Sequence, residues 1–129
     1  MKFRVEKYIL KKAEELAFLK IKNGADFNLK GYTFPKEGLD VPIKNDVLVK
    51  GIKTNTAQDG LSSMSIADAM IYIMGIDSNF KYNDEYKKFL KAIEENLDLD
   101  LKSYMGYMSR KYFEVGDYTD SLIYLKFPL

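Results

Sequence analysis

Cysteine, histidine and tryptophan are absent from the 129 residues. Without cysteine no disulfide can form, and without cysteine or histidine no zinc site of the usual kind can be built. Reactions that need a histidine base or a cysteine nucleophile are excluded with them. Arginine is scarce: of 20 basic residues only Arg4 and Arg110 are arginines. Guanidinium forks are the usual means of reading phosphates and bases in a bidentate way, so no specific nucleic-acid recognition is expected. Long apolar runs are also missing. The longest covers residues 69–76, whereas a bilayer span needs about 20 residues, so no membrane span is expected. Residues 1–22 alternate charge with apolarity and lack the uninterrupted core of a secretory signal. No Asn-x-Ser/Thr acceptor occurs either. These absences point to the cytoplasm.

What is present fits one globular domain over residues 1–129. Apolar residues make up 47% and charged residues 30%, too apolar for a disordered chain. The net charge is +1, but unevenly spread: residues 1–53 hold 12 basic and 7 acidic side chains, residues 54–129 hold 8 and 12. Two solvated faces of one domain would give this pattern. So would a basic surface that meets an acidic partner, a second copy of the chain among them.

Hydrophobic spacing predicts helices. Val5, Ile9, Ala13, Leu16 and Leu19 recur at three- and four-residue steps, predicting a basic amphipathic helix over 3–22 that Asn23-Gly24 ends. Residues 24–44 carry Gly24, Gly31, Pro35, Gly38 and Pro42 and read as an irregular connection. It is expected to lay Phe27, Leu29, Tyr32 and Phe34 on the helices. A short helix over 47–53 and a polar loop over 54–63 follow. Ser65 would cap a deeply buried helix that Gly75 stops. Further helices are expected over 83–96, 99–114 and 118–127, with Gly116-Asp117 as the last turn. The expected fold is all-α, made of antiparallel helical hairpins.

Candidate chemistry is sparse. Ser78-Asn79-Phe80-Lys81 has the Ser-x-x-Lys spacing of some serine acylases, but Ser78 falls in a turn and no Lys-Thr-Gly companion exists. Asn96, Asp98 and Asp100 alternate like calcium ligands, yet lack the central glycine and twelfth-position glutamate of an EF-hand loop. Glu14/Glu15 and Glu94/Glu95 are adjacent in sequence and would point apart on a helix. No phosphate loop or dinucleotide fingerprint is present. No catalytic residue, metal ligand or cofactor is assigned. Ten tyrosines exceed what a sealed core needs, since each hydroxyl requires a partner or water; some are expected to be half-exposed, as amphipathic packing or at a recognition groove.

One segment carries a more specific pattern. Met105 and Met108 form a bulky pair, Ser109 is small, Tyr112 is aromatic, Gly116-Asp117-Tyr118 makes a turn, and Ser121 and Leu125 follow one turn apart. Residues 101–126 thereby resemble a tetratricopeptide repeat, a helix–turn–helix unit of about 34 residues. The chain departs from that pattern in having methionine for the usual early tryptophan and in reaching Phe127-Pro128-Leu129 before the second helix is complete. The resemblance implies a hairpin at about 100–127 in which Ser109 and Ser121 let two helices approach, with Met105, Met108, Tyr112 and Leu125 filling the space around them. It implies a non-catalytic module that binds a peptide or protein, as scaffold or regulator. Gly106, Arg110, Phe113 and Glu114 would face the partner, Arg110 as the contact for a carboxylate or phosphate. It also leads to the expectation that these residues are the N-terminal part of a longer protein, or that a second copy completes the core. Two other classes stand beside it: a surface binder using the basic helix 2–22 on anionic membrane or nucleic acid, and an enzyme with an isolated carboxylate.

Overall fold

The computed structural model describes residues 11–21, 29–46 and 62–126. The structure is organised around helix α1 (Ser63–Ile76). Within residues 66–76 every side chain but that of Asp68 is buried. A helix apolar around its whole circumference must be enclosed on all sides. Three elements enclose this one: strand β2 (Leu39–Lys44), helix α2 (Asn83–Leu97) and helix α4 (Tyr118–Leu125). Each fully buried Ile or Met contributes about 1.5–3 kcal/mol. Ser62, rather than Ser65, is the cap, its Oγ accepting the Ser65 N–H at 3.1 Å. Gly75 lies inside the helix instead of stopping it. A Cβ there would collide with the Ile123 carbonyl oxygen, so the glycine sets the close crossing of α1 and α4.

Strand β1 (Leu16–Ile21) pairs antiparallel with β2, from Leu16 opposite Lys44 to Ile21 opposite Leu39. A single 3-10 turn, Lys12–Glu15, precedes it. This corrects two expectations. The all-α class becomes a mostly helical protein with a two-stranded antiparallel sheet. The amphipathic helix over 3–22 is replaced by turn and strand across its described part; residues 3–10 and 22 lie outside the described residues. The cause is non-local. Leu39, Val41 and Ile43 are 4%, 0% and 0% exposed against α1. β2 is thereby fixed as a strand and offers β1 a ladder. Pro42, which has no N–H to give, is tolerated because β2 has one described ladder partner.

Of the connection expected to be irregular over 24–44, residues 29–38 are irregular and 39–44 form β2. Tyr32 and Phe34 meet Phe89 of α2 edge-on at 5.4 and 6.2 Å, and Leu29 packs on the same core. Asn96 clamps the segment, donating to the Lys30 carbonyl at 2.8 Å and accepting the Lys30 N–H at 3.1 Å. Phe27 and the helix expected over 47–53 lie outside the described residues.

Helix α3 (Leu101–Glu114) and α4 form the predicted hairpin. Asp100 caps α3 through the Lys102 N–H, and Asp117 caps α4 through the Asp120 N–H. Gly116 turns the chain with φ +81°, a left-handed geometry that glycine adopts without penalty. At the crossing, Ser109 Oγ lies 2.9 Å from Ser121 Oγ and donates to the Ser121 carbonyl at 3.0 Å. Leu125 does not fill the hairpin as expected; it is 65% exposed. The buried arc of α4 runs through Asp120, Ile123 and Tyr124, and Tyr124 stacks on Tyr112 at 5.7 Å in its place. α4 also packs across α1, so the hairpin joins the central helix through α4. Among the described residues no helix is long and apolar enough to cross a membrane.

Candidate functional site

Two places combine polar and aromatic groups in ways the core does not need. One is interior. Lys44, at the end of β2, points its ammonium at Asp68 of α1, with Nζ 3.0 Å from Oδ2 and 2.7 Å from the Tyr124 hydroxyl. Tyr104 and Tyr124 each donate to Asp68 Oδ1 at 2.7 Å. The ammonium also lies over the rings of Tyr72 and Tyr124, 4.5 and 5.2 Å from their centroids. Beside it Tyr72 donates to Asp120 Oδ1 at 2.6 Å, and Lys12 stands 3.7 Å from the same oxygen. A cleft of about 780 Å³ adjoins this cluster, with Lys12, Glu15, Lys44, Tyr112 and Asp120 in its wall.

The protonation states make the cluster a set of satisfied donors and acceptors. Burial works against the Lys44 ammonium, but the Asp68 carboxylate beside it holds its pKa above the ordinary lysine value. A lysine held protonated is neither nucleophile nor base. Burial pushes the hydroxyls of Tyr72, Tyr104 and Tyr124 up, and the carboxylates they face push further in the same direction. They remain neutral donors. Burial also raises the Asp120 carboxyl, against the Tyr72 hydrogen bond and the Lys12 charge. The arrangement ties β2, α1, α3 and α4 together. Sequence reading missed it, because Lys44, Asp68, Tyr104 and Tyr124 are far apart in the chain; the surplus of tyrosine was the one available signal.

The second place is the outer face of α3. Gly106, Arg110 and Phe113 follow at four- and three-residue steps, and Glu114 lies one turn beyond Arg110, so the four predicted residues share one side of the helix. Arg110, Phe113 and Glu114 are exposed. Nothing lies within 4 Å of where a Gly106 Cβ would be. Two exposed aromatics flanking this side were missed in the sequence, Tyr107 of α3 and Tyr118 of α4. Tyr107 and Phe113 are 57% and 61% exposed, and Tyr118 of α4, 61% exposed, meets the Phe113 ring at 5.1 Å. Val115 in the turn is exposed as well.

The remaining candidates fall elsewhere. Ser78 lies in the turn between α1 and α2, where its carbonyl accepts from Asn83 Nδ2 at 2.7 Å, and the Lys81 ammonium sits over the Tyr82 ring. Asp98 and Asp100 serve as the end of α2 and the cap of α3. No family model, curated protein or solved structure matches the chain.

Proposed function

We propose that this protein is a non-catalytic protein-interaction module whose tetratricopeptide-like hairpin, α3–α4, receives a peptide or protein partner on its outer face. The observation that carries the reading is the exposure of three aromatic side chains, Phe113 and Tyr118 in ring contact and Tyr107 one turn before Arg110, together with the bare Gly106 and the exposed Arg110. Large aromatics with a guanidinium among them are the composition of recognition surfaces. The hairpin supports the family likeness through its Ser109–Ser121 contact. A second reading, an enzyme with an isolated carboxylate, draws on the cleft that holds Asp120. It ranks lower because that carboxylate is already engaged by Tyr72 and faced by Lys12.

The test is site-specific photocrosslinking in cells producing the full chain. A photoreactive phenylalanine analogue at position 107 or 113 is expected to give a discrete protein adduct, and the same analogue at position 88 of α2 none. The 107 adduct should be lost when Arg110→Glu is added. Equal adducts from both helices, or none from α3, would remove the assignment.

A further inference from the structure

We infer that the cleft beside Asp120 binds a small organic molecule through a primary ammonium group. This site is separate from the proposed α3–α4 surface and does not rest on it. Charge is the first argument. The wall of the cleft, about 780 Å³ in volume, includes the acids Glu14, Glu15, Asp46 and Asp120 but three lysines. One of these, Lys44, is committed to Asp68, 3.0 Å away and outside the wall. A second, Lys12, lies 3.1 Å from Glu15 and 3.7 Å from Asp120. The third, Lys11, is exposed, as are Glu14 and Asp46. The wall is thus short of positive charge, and the shortage falls on Asp120.

Hydrogen bonding is the second argument. Asp120 is 7% exposed, and Tyr72 donates to its Oδ1 at 2.6 Å. Its Oδ2 accepts no hydrogen bond among the described residues. Nor is Oδ2 sealed from solvent without a partner; among the described residues that holds only for Asn83 Oδ1. Oδ2 therefore opens on the cleft, an acceptor oriented by the tyrosine and accessible to a donor. Burial raises the Asp120 carboxyl against the pull of Tyr72, Lys12 and Lys44, as expected for a carboxylate with too little positive charge around it. A primary ammonium supplies both the missing charge and the N–H, in a hydrogen bond roughly twice as strong as a neutral one. The volume lies within the range of about 300–1,000 Å³ usual for small-molecule sites. The half-buried Tyr112 ring and the lysine stems offer the body of the ligand an apolar surface. A metal ion fits less well, since no group of three carboxylates placed to hold one occurs among the described residues.

Titration of the full chain with phenethylammonium, followed by proton–nitrogen correlation NMR, tests this. Two probes of similar shape run beside it: phenethyl alcohol, which is neutral, and phenylpropionate, which is negative. The ammonium probe is expected to move the amide signals of Lys12, Lys44, Tyr112 and Asp120, and the other two to leave them in place. Asp120→Asn keeps an acceptor for Tyr72 and should weaken the ammonium probe about tenfold or more. Arg110→Glu, on the outer face of α3, should leave its affinity unchanged. Should Asp120→Asn lose the helical circular dichroism signal, the three probes on the natural sequence decide alone. Equal binding of the alcohol, undiminished binding to a folded Asp120→Asn, or no shift with any probe would overturn the inference. Preferential binding of phenylpropionate would give the cleft to anions held by its lysines and overturn it too. A capped lysine amide that binds more tightly than phenethylammonium would make the occupant a protein side chain and overturn the small molecule.

Discussion

Asp68 receives the Lys44 ammonium on one carboxylate oxygen and the hydroxyls of Tyr104 and Tyr124 on the other. Removing one member of such a set leaves the others buried and unpaired, which costs more than the intact set contributes. Asp68→Ala is therefore expected to lower stability by about 3 kcal/mol, measured by urea unfolding. Lys44→Met combined with Asp68→Leu should recover much of that loss, because no buried charge is then left alone. A double variant no more stable than Asp68→Ala would contradict the role assigned to the ion pair. In sequence, Asp68 reads only as an acidic residue in the first turn of a helix capped at Ser65. Its three partners come from β2, α3 and α4, and local patterning does not report partners at that separation.

Two helical glycines separate packing from propensity. Gly75 lies where α1 and α4 cross, and Gly106 faces open space. Gly75→Ala should destabilise by about 2–3 kcal/mol, since the methyl group meets backbone that cannot move away. Gly106→Ala should stabilise by about 0.5–1 kcal/mol through helix propensity alone. Thermal melts of both variants check the pair, and equal signs would refute the crossing geometry. Helices whose apolar spacing is long and regular, such as α2 and α3, were readable from sequence to within two residues, and so was the Gly116-Asp117 turn. β1 was not. Its residues, Leu-Ala-Phe-Leu-Lys-Ile, include good helix formers and continue a three- and four-residue spacing set by Val5, Ile9 and Ala13. Pairing with β2 overrides that preference, and β2 was itself masked by Pro42 and a residue pattern resembling a loop. The predicted partner-facing residues do share one side of α3. Their aromatic neighbours Tyr107 and Tyr118 could not be separated from core tyrosines, because spacing shows which residues share a side and not which side is covered.

The whole molecule should respond to alkali through its tyrosines. Burial raises the hydroxyl pKa of Tyr32, Tyr72, Tyr86, Tyr104 and Tyr124, so the folded state keeps protons that the unfolded chain would release. The stability these groups contribute is complete below the ordinary tyrosine value of about 10 and is lost as pH rises beyond it. Absorbance at 295 nm should therefore show a class of tyrosines that ionises only together with loss of the helical circular dichroism signal. Smooth ionisation of all ten with that signal intact would refute their burial. Three of these tyrosines, Tyr72, Tyr104 and Tyr124, join with Lys44, Asp68 and Asp120 four segments, β2, α1, α3 and α4, drawn from the middle and the end of the chain. None of those segments can dock early without stranding a polar group that waits for the others. Assembly therefore gains little from any partial arrangement, and the joined segments should come apart in one cooperative, all-or-none melt.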